Sequence, residues 1–424
     1  MSAPDTPEAE APAPDAPAKV SATAAFQHRD YLLYWLTRFF GTLSIQMESV
    51  AVGWLVYNLT DSAFALGIVG LAQFLPMFGF ALVTGHVADR FDRRLILILC
   101  YAVEAASAVM LLAFALSGSK EVWIVYLILV MFGTARAFAS PAGQAIVPNL
   151  VPKAHFANAV AWSSSAWQTA TIFGPALGGL VFAFGGAAAA FSACAVLLGI
   201  CALALMAMRV RLGRAEQKAA SWETLLAGLA FIRAKPAIFG AISLDLFAVL
   251  FGGATALLPI YAKDILHLDA TGLGLLRSAP AVGAAATALL LAWKPLTRNT
   301  GAIMFFCVGL FGVATIVFGL STELWLSLAA LVVLGASDMV SVFVRSTLVQ
   351  ISTPDAMRGR VSAVNSIFIG ASNELGEFES GLAAAWLGVV PAVVAGGVGT
   401  IAVVLLWAWW FPALRKADRL DQAV

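Results

Sequence analysis

Residues 147–180, VPNLVPKAHFANAVAWSSSAWQTATIFGPALGGL, line up without gaps on residues 349–382, VQISTPDAMRGRVSAVNSIFIGASNELGEFESGL. Pro152 falls on Pro354, Gly174 on Gly376 and Gly179 on Gly381, each 202 positions apart. Matched Pro and Gly mark places where backbone shape itself repeats, and a shift near half of the 424-residue chain points to an internal duplication. Both copies begin among charged residues and run into apolar ones, so they enter an apolar layer from the same side. If the rest of the chain spans a membrane, the halves are parallel repeats about an axis normal to it.

Composition meets that condition. Hydrophobic residues make up 61% and charged residues 12% of the chain, with a mean hydropathy of +0.89, whereas a soluble domain is roughly half apolar and a quarter charged. A hydrocarbon core about 30 Å thick takes roughly 20 helical residues at about 1.5 Å each. That ruler predicts spans at 32–56, 63–84, 95–116, 122–138, 159–184 and 187–208, then at 237–261, 272–292, 302–320, 324–344, 361–387 and 392–411. Barrel strands would alternate polar and apolar over about 10 residues, a pattern these runs lack. The expectation is an all-α membrane protein of about twelve transmembrane helices in two six-helix bundles, 26–208 and 237–411. Residues 1–25, rich in Ala, Pro, Asp and Glu, read as a disordered tail, and 412–424 as a second tail.

Charge placement supports an even number of spans. Twenty of the 25 Lys and Arg fall on one side when loops alternate, among them Arg90, Arg93, Arg94, Arg209, Arg233, Arg345, Arg358 and Arg360, while Lys120 and Lys263 remain opposite. By the positive-inside rule, both termini face the cytoplasm, as expected in a bacterial inner membrane. Residues 209–236 form the one long connection. Within it, Ser221 suits a helix cap, and Trp222, Leu225, Leu226 and Leu229 share one face, as expected of an amphipathic helix lying on the membrane surface.

Several function classes are excluded at this level. With 25 basic against 24 acidic residues there is no field for nucleic acid. Cys100, Cys194, Cys201 and Cys307 lie in apolar runs without paired spacing, so neither a metal nor a redox site is expected. No phosphate-binding G-x-x-x-x-G-K-[ST] and no Ser/His/Asp set occurs, which argues against ATP-driven pumping and against an enzyme. No cofactor is implied.

Two short motifs carry mechanism. The loop Gly85-His86-Val87-Ala88-Asp89-Arg90-Phe91-Asp92-Arg93-Arg94 sets dense charge between two apolar helices. Gly85 permits close helix approach, while Asp89 and Arg90 can cap helix ends and pair with the neighbouring bundle, forming a latch that breaks when the halves rock. In the fifth span, Gly174-Pro175-Ala176-Leu177-Gly178-Gly179 places a helix-kinking proline among glycines that admit a close neighbour.

The G-x-x-x-D-R-x-x-R-R loop resembles the signature loop of the major facilitator superfamily, with Asp92 standing where that family usually has glycine. The G-P-x-x-G-G stretch is similar to the core of the motif associated with antiporters in the same superfamily. Stretches beginning at Ser49, Leu244 and Ser352 resemble the enterobactin-exporter-like branch of efflux carriers. The resemblance implies the major facilitator fold and secondary transport, with spans 1, 4, 7 and 10 lining a central cavity and spans 5, 8 and 11 beside them. Glu48, Asp245 and Asp338 would then face substrate.

Charges inside spans are the best site candidates, because each costs roughly 2.5–3.5 kcal/mol at a helix centre unless it meets water or a partner. Glu48 lies near the middle of span 1. Glu374 and Glu377 share a face of span 11, and two crowded carboxyls resist ionising together. These three are the expected proton-exchanging groups, with Arg38, Asp245, Arg277, Asp338 and Glu379 as cavity or substrate contacts. Glu104 and Arg136 read more readily as a structural ion pair. The chain is expected to be a monomeric proton-coupled antiporter exporting a drug, siderophore or metabolite. An uptake symporter or uniporter, and a non-transporting receptor or lipid-handling scaffold, are the rival readings.

Overall fold

A computed structural model describes residues 21–210, 222–296, 298–415 and 418, and among these every regular element is helical. The N-terminal half contains α1 (Arg29–Thr60), α2 (Ala63–Gly79), α3 (Ala81–Arg90), α4 (Arg93–Ser117), α5 (Val122–Ile146) and α6 (Phe156–Ala207). A connecting helix, α7 (Trp222–Ala234), leads to α8 (Pro236–Phe251), α9 (Ala270–Trp293), α10 (Thr300–Leu320), α11 (Leu324–Ser352), α12 (Asp355–Leu387) and α13 (Val389–Trp410). Below, the tail end is the end of the bundle where α1 begins and α13 finishes, and the far end is the opposite one.

Nine helical stretches among the described residues are long and apolar enough to cross a membrane. Three more crossings complete twelve. α6 contains two, because Gly186 at φ 67° and ψ −169° breaks it into a hairpin, a left-handed backbone that favours glycine. The predicted second span is split at Phe80 into α2 and α3, so each piece alone is short. α12 has the length, at 33 residues, but carries acids that dilute its hydropathy. The predicted edges are mostly short of the real ones: α5 runs on to Ile146 and α11 to Ser352, which draws Arg345, expected in a tail-side loop, into the helix at 4% exposure.

The duplication is visible in the packing. Gly174 lies so close to α1 that an added Cβ would sit 2.6 Å from Gln46 Cβ, while a Cβ at Gly376 would come within 3.0 Å of the Leu250 carbonyl on α8. Between the halves, a Cβ at Gly381 would be 2.7 Å from Gly67 Cα, and one at Gly274 would be 2.5 Å from the Pro175 carbonyl. Gly179 meets the backbone carbonyl of Ala270. Small residues let the backbones touch, as they do in membrane helix pairs. These seams, α2 on α12 and α6 on α9, run from the far end to mid-helix, where Gln168 donates to the Ala281 carbonyl at 3.3 Å.

Two expectations about the chain ends and the connection are modified. Of the expected disordered tail 1–25, residues 1–20 lie outside the described residues, but the rest is docked: the Ala25 amide donates to Asn158 Oδ1 at 3.0 Å, Trp162 Nε1 donates to the Ala22 carbonyl, and Ala25 is fully buried. The chain is therefore already packed before residue 26. In the connection, Ser221 lies outside the described residues. α7 packs on α12, with a Cβ at Gly228 falling 2.8 Å from the Arg360 carbonyl, and it buries Ile232 among Ile238, Val349 and Val361, while Leu226 is exposed.

Candidate functional site

Where the halves meet in mid-bundle, the helices enclose about 820 Å³ of empty space, partly continuous with solvent. α1 supplies Glu48 and Ser49, α12 supplies Glu374 and Glu377, α9 supplies Arg277, and α5 supplies Arg136. Each side chain arrives by a local rule. Glu374 and Glu377 are three residues apart and so share a face. Gly70 on α2 makes room for them, since a Cβ there would lie 2.9 Å from both Cβ and Oε2 of Glu377. On the other flank the Gly174–Gly179 motif holds α1 in place, because a Cβ at Gly178 would be 2.7 Å from Met47 Cα.

The charges in this cavity are unevenly satisfied. Glu48 is 2% exposed, and neither of its carboxyl oxygens has a hydrogen-bond partner. Arg277 Nη1 donates to the Ser49 carbonyl at 3.3 Å, and Arg136 Nη1 donates to Gln73 Oε1 at 3.3 Å with its guanidinium 5.8 Å from the centre of the Phe132 ring. Among the described residues no carboxylate lies within 4.0 Å of either arginine. A buried carboxyl without a partner is expensive. The arrangement can therefore exchange a proton, or take a ligand that supplies the missing hydrogen bonds.

A second cavity of about 960 Å³ lies towards the tail end and shares Ile45 and Arg136 with the first. Arg38, Tyr101, Glu104 and Trp167 line it. The expected structural pair of Glu104 and Arg136 is not formed within 4.0 Å, and Glu104 Oε2 is unpartnered at 1% exposure. Arg38 Nε instead donates to the Ser163 carbonyl at 3.3 Å.

Asp245 and Asp338, expected to face the central cavity, line a separate space of about 210 Å³ within the C-terminal half. Asp245 is paired there with Arg345 at 3.3 Å and accepts from Ser341 Oγ, while Arg345 Nη1 donates to Asn365 Oδ1 at 3.2 Å. Glu379 is half-buried and lines none of the three cavities described here. The sequence reading thus brings Glu48, Arg277, Glu374 and Glu377 together, places Arg38 next door and misplaces the two aspartates.

The loop of Gly85 to Arg94 is described in part. Asp92 has φ −61° and ψ 115°, a backbone any residue adopts, and its carboxylate accepts from the Arg94 amide at 2.9 Å as the N-cap of α4. Aspartate at this position is a cap, so glycine is not needed. Arg94 reaches the last turn of α6, donating to the Leu205 and Met206 carbonyls at 2.9 and 2.7 Å, where a cation suits the helix dipole. Arg93 is 8% exposed and Arg90 is exposed. Arg94 therefore ties the N-terminal half to itself. The side chain of Asp89 lies outside the described residues, and so does its half of the expected latch.

The described latch is at the far end. Lys263 Nζ pairs with Asp61 Oδ1 at 2.8 Å and sits 5.1 Å above the Tyr57 ring, while the Tyr57 hydroxyl donates to the Asp264 carboxylate. Lys263 and Asp264 belong to a single π-helical turn, Tyr261–Ile265. In the sequence, Lys263 stands out as one of two Lys and Arg residues expected on that side.

Residues 20–424 match the family described as transmembrane secretion effector. The chain belongs to that family of major facilitator transporters. Relatives of this chain include the enterobactin exporter EntS of Citrobacter koseri, 26% identical over 390 residues, covering 92% of this chain and 93% of the relative. Among solved structures, a bacterial homologue of the human lysosomal transporter Spinster, inward-facing and occupied, superposes with a TM-score of 0.72 at 15% identity, covering 91% of this chain and 98% of that one. The nucleoside transporter NupG gives 0.69 at 15% identity, covering 90% and 99%. The family and fold make this chain a multi-pass secondary transporter, and these structures speak for the fold alone.

Proposed function

We propose that this protein is a proton-coupled antiporter that exports a small molecule from the cytoplasm by alternating access, working as a monomer with its tail end inside. The observation that carries the reading is Glu48, a carboxyl with no partner, in a cavity between two halves whose far-end seams are closed. Rocking the halves apart would part the α2–α12 and α6–α9 seams, break the Lys263–Asp61 pair and open the cavity outward. Proton uptake by Glu48, Glu374 or Glu377 from that side would accompany substrate release, and proton discharge inward would reset the carrier. One charge crossing 100 mV is worth about 2.3 kcal/mol, enough at about 1.4 kcal/mol per decade for a gradient of roughly 40-fold.

The relatives that bear the name enterobactin exporter favour export and a siderophore-like cargo, and a drug or metabolite would use the same chemistry. The test is proton release on substrate addition in liposomes, for Glu48→Gln, Glu374→Gln and Glu377→Gln taken singly. Loss of release with retained substrate binding in at least one variant is the expected result. Undiminished coupling in all three, or substrate moving with the proton rather than against it in inside-out vesicles, overturns the reading.

A further inference from the structure

Two of the chain's four histidines meet at the tail end, with His28 Nε2 and His155 Nδ1 3.0 Å apart. Both are half-buried. His28 closes the short turn Ala24–Gln27 that precedes α1, and His155 ends the turn Lys153–His155 that precedes α6. The pair therefore clasps residues 21–28 to the start of α6. Beneath the clasp these residues form a strap: Ala25 is fully buried, its amide donates to Asn158 Oδ1, and Asn158 Nδ2 and Trp162 Nε1 donate to the Ala22 carbonyl at 2.7 and 2.8 Å. The Phe26 ring packs with its centre 5.0 Å from that of Trp162 and 5.5 Å from that of Trp35.

The second copy of the frame shows what the histidines add. α7 covers the start of α12 as the strap covers the start of α6: Gly228, which lies on the Arg360 carbonyl, comes 202 positions after Phe26, and Arg360 comes 202 after Asn158. At the positions 202 after His28 and His155 stand Ala230 and Met357. Packing at this place therefore needs no imidazole, and the clasp is peculiar to the N-terminal half.

A hydrogen bond between two imidazoles needs one ring nitrogen with a free lone pair. It stands with no added proton or with one, but two protons make both nitrogens donors and set two cations face to face. The surroundings give no relief. The turn Ala24–Gln27 and all of α6 carry no charged residue, the first turn of α1 contributes Arg29 and Asp30, the turn before α6 contributes Lys153, and Arg209 stands just past the end of α6. Asp30 is committed to the Arg209 and Val210 amides at 3.1 and 2.9 Å, and among the described residues no carboxylate lies within 4.0 Å of either ring. The released strap binds more protons than the docked one, so docking is favoured as pH rises and lost as it falls.

We infer that residues 21–28 are a pH-released strap, docked on α1 and α6 while the His28–His155 pair holds at most one added proton and freed when the tail side turns acid, between about pH 5 and 8. Directly beneath it, Trp35 Nε1 donates to the Trp162 carbonyl and the Tyr31 hydroxyl to the Ala159 carbonyl, so release loosens the contact of α1 with α6 at that end. In the exchange reading protons arrive at the tail side on every cycle, and the strap then reports that acidification to the carrier. Docking itself does not depend on that reading.

The experiment is electron paramagnetic resonance of a nitroxide attached through Thr23→Cys, an exposed strap position, in the purified full-length protein carrying Cys307→Ser, since the other three cysteines are buried. The label should be immobilised at about pH 8 and mobile at about pH 5, and the change should reverse on return to the higher pH. The ratio of mobile to immobile label should rise at least about tenfold, within the roughly 1000-fold that one extra proton allows over three pH units. This measurement keeps both histidines, so misfolding of a histidine variant does not enter it. His28→Gln combined with His155→Gln should leave one mobility at every pH. A label that keeps one mobility with both histidines present overturns the inference, and so does a transition that survives in the double variant. Docking that is lost to EDTA at high pH and restored by Zn2+ also overturns it, because the pair would then be a metal site. An intact strap transition beside undiminished coupling in the Glu48, Glu374 and Glu377 variants would sink the exchange reading and leave the strap standing.

Discussion

In the N-terminal half, Glu48 and Glu104 are 2% and 1% exposed and keep carboxyl oxygens that accept nothing, whereas in the C-terminal half Asp245, at 5%, is gripped by Arg345 and Ser341. The scaffold around them is the same. Gly174 packs on α1 as Gly376 packs on α8, and Ser62 caps α2 as Asp269 caps α9, each accepting from the amide three residues on. One duplicated frame therefore carries two electrostatic solutions. An ion-paired buried carboxylate fixes geometry even though Arg345 Nε is itself left without a partner, and an unpaired carboxyl leaves energy to be released by a proton or a ligand.

The comparison breaks most visibly at Arg345. Removing it as Arg345→Ala strands the Asp245 carboxyl in a site with almost no solvent, which should cost about 3–5 kcal/mol. Thermal unfolding in detergent should show a large fall in melting temperature and a reduced monodisperse fraction. The double change Arg345→Met with Asp245→Leu should recover most of the loss, because an apolar pair of similar volume replaces an ion pair at little net cost. If Arg345→Ala is as stable as the wild type, Asp245 and Arg345 are not a structural lock.

Glu48→Gln should show the opposite profile. Stability should stay within about 1 kcal/mol of wild type or rise, since a neutral amide replaces a buried group with no partner. Proton release on substrate addition should fall at least about tenfold, one decade being about 1.4 kcal/mol. Equal damage to folding by Glu48→Gln and Arg345→Ala would erase the contrast between the halves.

Hydropathy and the 202-residue repeat made the frame legible because both depend on residue type along one helix. Gly186 was even visible as the gap between two predicted spans. The site was legible only in part, since periodicity gives the depth and face of Glu48, Glu374 and Glu377 but not what lies across from them. Asp245 and Arg345 are 100 positions apart, and Arg345 was read as a loop cation because α11 continues beyond its apolar stretch. Structural ion pairing is the plain expectation for Glu104 and Arg136 because a buried charge usually needs a partner, and here both line cavities instead. Asp92 was read as a substitute for glycine although aspartate is also a preferred N-cap.

A wedge at the seam sharpens the comparison by acting on neither set of charges. Gly381→Val would press a branched side chain against Gly67 Cα, 2.7 Å from the Cβ position. Each half should still fold, but the closed far end should be disfavoured by about 1–3 kcal/mol, the usual cost of overpacking. Labelling of a cysteine placed at Asp61 by a membrane-impermeant thiol reagent from outside should become several-fold faster than in the same variant with Gly381 intact. Unchanged labelling would mean that the seam does not hold the far end shut.

The smallest effect belongs to the ion pair that joins the halves. Lys263 and Asp61 meet at 2.8 Å, but their side chains are 33% and 72% exposed, so water and salt screen them. Such pairs contribute about 0–1 kcal/mol. Asp61→Asn should therefore change transport less than about fivefold, and the difference from wild type should shrink as salt is raised from 50 to about 500 mM. Tyr57 is buried although Asp264 is exposed, and its hydroxyl is a neutral donor, so Tyr57→Phe should keep its effect at high salt. A large, salt-independent loss in Asp61→Asn would make the outer pair a principal lock of the closed state and would move the balance of the carrier from the glycine seams to the far-end charges.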